Sequence, residues 1–507
     1  MKKFQISNFF RRDRPIFSSG LVLVNVLIFA TIAITITIGL VNWSSQIFRT
    51  VKNLQQREQA LQVAEAGLEY YRWHLAHFPS DFSDGTSTPG PYVHTFADDM
   101  GNILGSYSLT ITPPRLGSTL VTVKSVGTLA STSITRTLQT ILAIPSFAKY
   151  AFVANDFMRF GSGTVVNGPI HSNQGIHFDG LANNIVQSAL ATTTDPDNSR
   201  ACSPYPSCAT EWGVYTLSGT DDPQPPTGLP NRPDVFVAGR QVAMPAVSFS
   251  GITANFNLLQ TQAIASDPVG NKYNISGSGN GNYGYHIIFN YSSGTTTYDL
   301  YKVKSLRSAP SGCSNDLDQT NWGTWSIDTS GGSQSLVSSG NKLPSNGVIF
   351  ISDNVWVEGT VGNNARITIA AAKLPQPATP PDIIVNTNLL YAVKDGSNVI
   401  GLISQGNVTI GLYSDDSFEI DGALVAQNGR VGRFYYASDC NSTYQRTTIT
   451  IYGMIATFIR YGFAYTDNTG YTNRNITYDP NLLYGPPPSF PLSASSYVPL
   501  SWQELNM

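Results

Sequence analysis

From Leu21 to Val41 the chain carries no charged side chain. A helix needs about 20 apolar residues, at about 1.5 Å rise each, to cross a bilayer, and this run meets that length. No proline interrupts the stretch from Leu21 to Phe78, and its only glycines are Gly39 and Gly67. The pattern therefore predicts one long helix over 21–78. Its first half is apolar all round and its second half, from Gln46 onward, is amphipathic. Whatever else the chain folds into must hang from this rod.

The flank before the rod sets its direction. Lys2, Lys3, Arg11, Arg12 and Arg14 stand against the single acid Asp13. A basic flank stays cytoplasmic, which places the rest of the chain on the far side of the inner membrane. Three readings of the N-terminus fit to different degrees. A cleaved secretory signal needs a shorter apolar core, of roughly 7–15 residues, with a small-residue cut site after it. A plain single-pass anchor fits the hydropathy. A prepilin leader is cut after a glycine standing before the apolar core, and Gly20 stands there.

The basic leader, Gly20, the apolar core and Gln59-Ala-Leu-Gln-Val-Ala-Glu-Ala-Gly-Leu-Glu69, taken together in that order, resemble the N-terminal domain of PilX-type minor pilins of the type IV pilus assembly system. The resemblance covers roughly the first 75 residues. It implies cleavage between Gly20 and Leu21 by a prepilin peptidase, N-methylation of Leu21, and packing of the helix with other pilins in a filament core. It implies passage from the inner membrane to the cell surface. Two positions depart from the major-pilin pattern: Leu21 stands where Phe is usual, and Asn25 where a Glu pairs with a neighbour's terminal amine. A neutral Asn25 makes only a dipolar filament-core contact, which suits a minor or tip subunit. Pilus and secretion pseudopilus both remain open.

The remainder reads as β-rich, so the expected class is α+β. With 507 residues the chain is too long for one small domain. We expect a leader over 1–20, the helix over 21–78, a small antiparallel module packed on the helix over 79–145, a large β-rich domain over 146–470, and a Pro-rich extended tail over 471–507. In the small module, Tyr107-Ser-Leu-Thr-Ile-Thr, Leu120-Val-Thr-Val-Lys-Ser-Val-Gly and Ser133 to Leu142 alternate apolar and polar, as half-buried strands do. The tail, with Pro486-Pro-Pro488, is expected to lie across the end of the large domain as a cap.

In the large domain one shape recurs: a short apolar strand, a Ser or Ala, an Asn-, Gln- or Asp-bearing turn, then another strand. It occurs at Val166–Gly180, Ile349–Gly359, Leu402–Ile410 and, more weakly, Leu424–Val431. The last three turns, at Ser352, Ser404 and Ala426, are 52 and 22 residues apart. Those steps match two coils and one coil of a β-solenoid. A Greek-key sandwich with similar turns is the alternative.

Chemistry is sparse. Charged residues make up only 12% of the chain and the net charge is −3, with no basic run beyond the leader, so no nucleic-acid partner is expected. No nucleophile elbow, phosphate loop, dinucleotide fingerprint or zinc-protease motif occurs, and we expect no enzyme activity, cofactor or metal. Cys202, Cys208, Cys313 and Cys440 are candidates for disulfides outside the cytoplasm. Four cysteines allow three connectivities, of which Cys202–Cys208 with Cys313–Cys440 is the simplest. Asp415, Asp416, Glu419 and Asp421 form the best carboxylate cluster. Paired carboxylates can cleave a glycan or bind calcium, or they can simply be a solvated loop. His171 and His177 read as solvated strand residues. The function expected is a minor pilin-like structural protein that displays its head for pilus initiation, tip capping or adhesion to a surface receptor. The alternative is an anchored solenoid that binds or cleaves glycans.

Overall fold

The computed structural model describes residues 19–197, 210–249, 255–266, 272–276, 282–317 and 319–505. The leader up to residue 18 and the Cys202–Cys208 loop lie outside the described residues. The fold is α+β: one long helix, a small antiparallel sheet, and a large solenoid-like domain of parallel coils.

Helix α1 spans Ser19–His77. Its buried positions are Ala60, Val63, Ala64, Gly67, Leu68, Tyr71, His74 and Leu75, one stripe at three- and four-residue steps. That stripe packs on strands β2 (Ile103–Thr112), β3 (Val121–Leu129) and β4 (Thr135–Ala143). The Ala64-Glu-Ala-Gly67 segment owes its small residues to this contact. A Cβ on Gly67 would lie 2.4 Å from Ser125 Oγ, and one on Gly127 of β3 would lie 2.3 Å from the Ala60 carbonyl. Helix and sheet therefore touch backbone to backbone, which adds dispersion contacts that larger side chains would hold apart.

The small sheet has five strands where the sequence pattern gave three. Strand β1 (Tyr92–Ala97) forms one edge. At the other edge the chain's last strand, Val498–Leu505, pairs antiparallel with β4, Thr140 opposite Trp502. This corrects the expected tail. Gly470–Tyr478 is a strand inside the large domain, and the segment after it returns to the small sheet instead of capping a solenoid end. Leaving and returning segments run side by side: Ser146 N–H donates to Leu483 C=O at 2.7 Å and Ser493 N–H to Pro145 C=O at 2.9 Å. The large domain is thus inserted between two neighbouring strands of the small sheet. Arg366 pins the neck. Its buried guanidinium donates to the carbonyls of Leu116, Gly396, Gly485 and Pro486.

The coils of the large domain stack in parallel, which removes the sandwich alternative. Along the first wall the register runs Val186, Ile170, Phe152, Ile455, Leu424, Leu402, Ile369, Ile349. These side chains point inward and are all buried. Their strand neighbours Val153, Ala456, Val425, Ile403, Ala370 and Phe350 face outward, yet they too are buried, under Phe147, Phe249, Phe490 and the helix Asn255–Ser266. Burial on both faces explains why these strands read as continuous apolar runs. Ile351, Ala371, Ser404 and Ala426 follow one another up the stack, so the long sequence step is two coils and the short step one.

The coil order differs from the chain order. The chain enters at Phe152 in the middle of the stack and winds outward through Ile170 and Val186 to Arg240. It crosses along the outside through the helix Asn255–Ser266, restarts at the far end, and winds back until Ile455 lies against Phe152. On another wall Ile476 lies against Val166. The solenoid is continuous in space across a break in the chain.

Candidate functional site

Two regions stand apart from ordinary packing. The first is the N-terminal half of α1. It is long and apolar enough to cross a membrane, and none of its most apolar stretch is buried against the rest of the molecule. Leu21 is 68% exposed and Phe29 72%. Gly20 lies in the first turn with nothing within 4 Å of where a Cβ would be. Asn25 projects from the same exposed rod. An uninterrupted helix that is apolar and exposed at one end and docked on a sheet at the other has the form of a rod that can carry a head on a membrane or a helix bundle.

The second region is a cleft at the seam of the solenoid. Two walls cross the seam with parallel pairing intact. The third does not. On one side Gly462 bridges Gly432. On the other, among the described residues Met158–Phe160 pairs only with Ile176–Phe178, in a separate three-stranded sheet. The unpaired wall opens into a cleft of about 1450 Å³. Its floor is aromatic: Tyr461 packs against Phe160 at 5.1 Å and against Phe152 at 4.5 Å. Arg159, Arg430, Arg460 and Arg474 line it together with Asp156, Asp179 and Asp197.

The acids of the cleft are already engaged. Asp197 takes both terminal nitrogens of Arg460 at 2.6 Å and Arg159 at 3.3 Å, and its pKa falls because these arginines outweigh its burial. Asp179 lies 2.8 Å from His177 Nε2. Asp156 accepts from the Phe157 and Arg460 backbone N–H groups. By contrast, among the described residues no carboxylate pairs with Arg430 or Arg474. Arg474 is buried and donates to the carbonyls of Tyr471, Thr472 and Ser162 and to Thr164 Oγ1. Arg430 donates to Arg433 C=O and, at 2.8 Å, to the Tyr465 hydroxyl, and its Nε–H has no partner among the described residues.

The residues singled out in the sequence sit elsewhere. Lys394 Nζ stands between Glu419 and Asp421, at 2.5 and 2.8 Å, where a cation would sit. Burial raises Asp421 to about 6 against the pull of Lys394. Asp415 accepts from Thr387 and Asp416 from the Thr447 backbone. The cluster is a set of braces between coils. Among the described residues no group of three or more His, Cys, Asp or Glu is placed to hold a metal. His171 and His177 are buried, not solvated: they alternate with the inward Ile170, Ile176 and Phe178 on neighbouring walls and are covered on their outer faces, His171 by Tyr150 and His177 by Tyr215, stacked at 4.7 Å. Burial alone would lower the His177 pKa, but the neighbouring carboxylates of Asp179 and Asp195 outweigh it and raise it. Cys313 and Cys440 form a disulfide with Cα atoms 4.4 Å apart, beside Trp322, Trp325 and Tyr436. No sequence signal marked the cleft, since Arg159 and Arg460 meet only because the coil closes on itself.

No family model matches the chain, and no curated protein matches it. A solved structure, the crystal structure of competence-associated pilin ComZ from Thermus thermophilus, aligns over 89% of this chain and 98% of that chain at 12% identity and a TM-score of 0.28. At that score the likeness carries no argument.

Proposed function

We propose that the protein is a pilin-like structural subunit, a minor pilin of a type IV pilus assembly system, held by its N-terminal helix and presenting the solenoid head outside the cell. The observation that carries this reading is α1 itself. Its apolar half is exposed along its whole length, while its other half is locked to a five-stranded sheet through Ala60, Ala64 and Gly67. An exposed surface of that size and shape needs lipid or other helices around it. On this reading a prepilin peptidase removes the leader after Gly20, other pilins pack around Leu21–Val41, and Asn25 replaces the acid of a bulk subunit. A head of this size on every subunit would crowd a filament repeat, so the subunit is used rarely, at the tip or in an initiating complex.

Mass spectrometry of the protein purified from its native host tests the reading. The mature chain begins at N-methylated Leu21, and sheared pili contain far fewer copies of it than of the main subunit. A chain that retains Met1, or that is cut beyond Val41, overturns it.

A further inference from the structure

The seam cleft has the attributes of a ligand site and no structural need to exist. A solenoid gains by pairing every wall, and here two walls pair across the seam while the third is held open. The opening is recessed, and a recess lined by low-dielectric walls concentrates the field of its charges. That field is positive. The three lining acids are matched by Arg460, Arg159, His177 and backbone donors, whereas Arg430 and Arg474 line the same space with no carboxylate paired to them among the described residues. Arg474 spends its donors on carbonyl groups, but Arg430, whose Nε–H is buried, makes no hydrogen bond through Nη1 among the described residues, and its Nη2 holds the Tyr465 hydroxyl. The exposed rim is mostly amide and hydroxyl, from Ser162, Gln445, Asn468, Thr472 and Asn473, with Leu317 and Ile459 as its exposed apolar members.

We propose that this cleft binds an acidic oligosaccharide, with a sugar carboxylate taken by Arg430 and the sugar hydroxyls by the rim. A single cation anchoring an anion, surrounded by neutral donors and acceptors, matches a hydroxyl-rich ligand bearing one charge per residue. A nucleic-acid strand would need a run of cations along its phosphates and open aromatic faces for its bases. The cleft instead carries three carboxylates, and Tyr465 is packed edge-on to Tyr435 at 5.1 Å. The inference concerns the head alone and does not depend on the pilin reading.

The test is titration calorimetry on the full chain in detergent. The probes are acidic tetrasaccharides bearing uronate or sialate, each beside its methyl ester, and an oligothymidylate. At least one acid should bind, and bind roughly 10- to 100-fold more tightly than its ester, as loss of a charge-assisted hydrogen bond requires. Arg430→Gln, which removes the charge, should bring the acid down to the affinity of the ester. Asn473→Glu on the exposed rim should weaken the acid without shifting the melting temperature, and it decides the matter if the Arg430 variant does not fold. Acids and esters binding alike, no acid binding at all, or oligothymidylate binding that Arg430→Gln abolishes would each overturn the proposal.

Discussion

Phe152 and Ile455 lie side by side in parallel register, although one opens the large domain and the other nearly closes it. Phe152 is fully buried and meets Phe160 and Tyr461 edge-on at 5.1 and 4.5 Å. It therefore joins the first coil to the last. Phe152→Ala should cost about 3–5 kcal/mol. Because the lost contacts span the seam, denaturant unfolding followed by tyrosine fluorescence should split into two transitions where the parent shows one. A single transition shifted by less than 1 kcal/mol, on the order of a surface substitution, would show that the two arms are not coupled there.

Gly127 faces α1 across a gap that a methyl group overfills, since its Cβ would lie 2.3 Å from Ala60 C=O and 2.4 Å from Ala64 N. Gly127→Ala should destabilise docking of the helix by about 1–3 kcal/mol. Limited proteolysis of the detergent-solubilised protein should then cut faster between Ala60 and His77, with the solenoid fragment unchanged.

The Cys313–Cys440 bridge closes a loop with a sequence separation of 127 residues. Its removal by paired Cys→Ser substitution should lower stability by about 2–4 kcal/mol. The loss should appear first in near-UV circular dichroism, since Trp322, Trp325 and Tyr436 pack around the bridge.

Asp382 is fully buried and accepts from Asn407 N at 2.7 Å and Asn321 Nδ2 at 2.9 Å. Burial outweighs these bonds and raises its pKa from 3.8 to about 6. The folded state thus holds a proton that the unfolded chain has released. This group's contribution to stability is greatest below the unfolded value and declines as pH rises through the window between 3.8 and about 6. Asp382→Asn should flatten that part of the melting-temperature profile. An unchanged slope between those two values would contradict the assignment.

The features legible in the sequence are those that local pattern dictates. The uncharged run and the small-residue motif define α1, because a helix writes its packing face at three- and four-residue steps. The steps from Ser352 to Ser404 and from Ser404 to Ala426 give the coil spacing, because each coil repeats its corner chemistry. The last strand was missed because Val498-Pro-Leu500 carries a proline, tolerated there by an irregularity in register on an edge strand. His171 and His177 look like solvated residues in a polar stretch, and only the partners Tyr150 and Tyr215, brought by other segments, make them interior. The cleft was illegible for a stronger reason. Nothing in the residues around Arg159 or Arg460 says that the chain restarts at the far end of the stack and returns to meet itself.

The neck has a mechanical meaning. Strand β4 leads into the large domain and Val498–Leu505 leads out of it, hydrogen-bonded to each other along their length. On the proposed reading, a tug on a ligand bound by the head would reach the N-terminal helix through both strands at once. Bonds loaded along the strands share the force and must yield together, whereas a single exit strand could be peeled off bond by bond. A head joined to its helix by two paired strands is thus built to pass tension on through both of them.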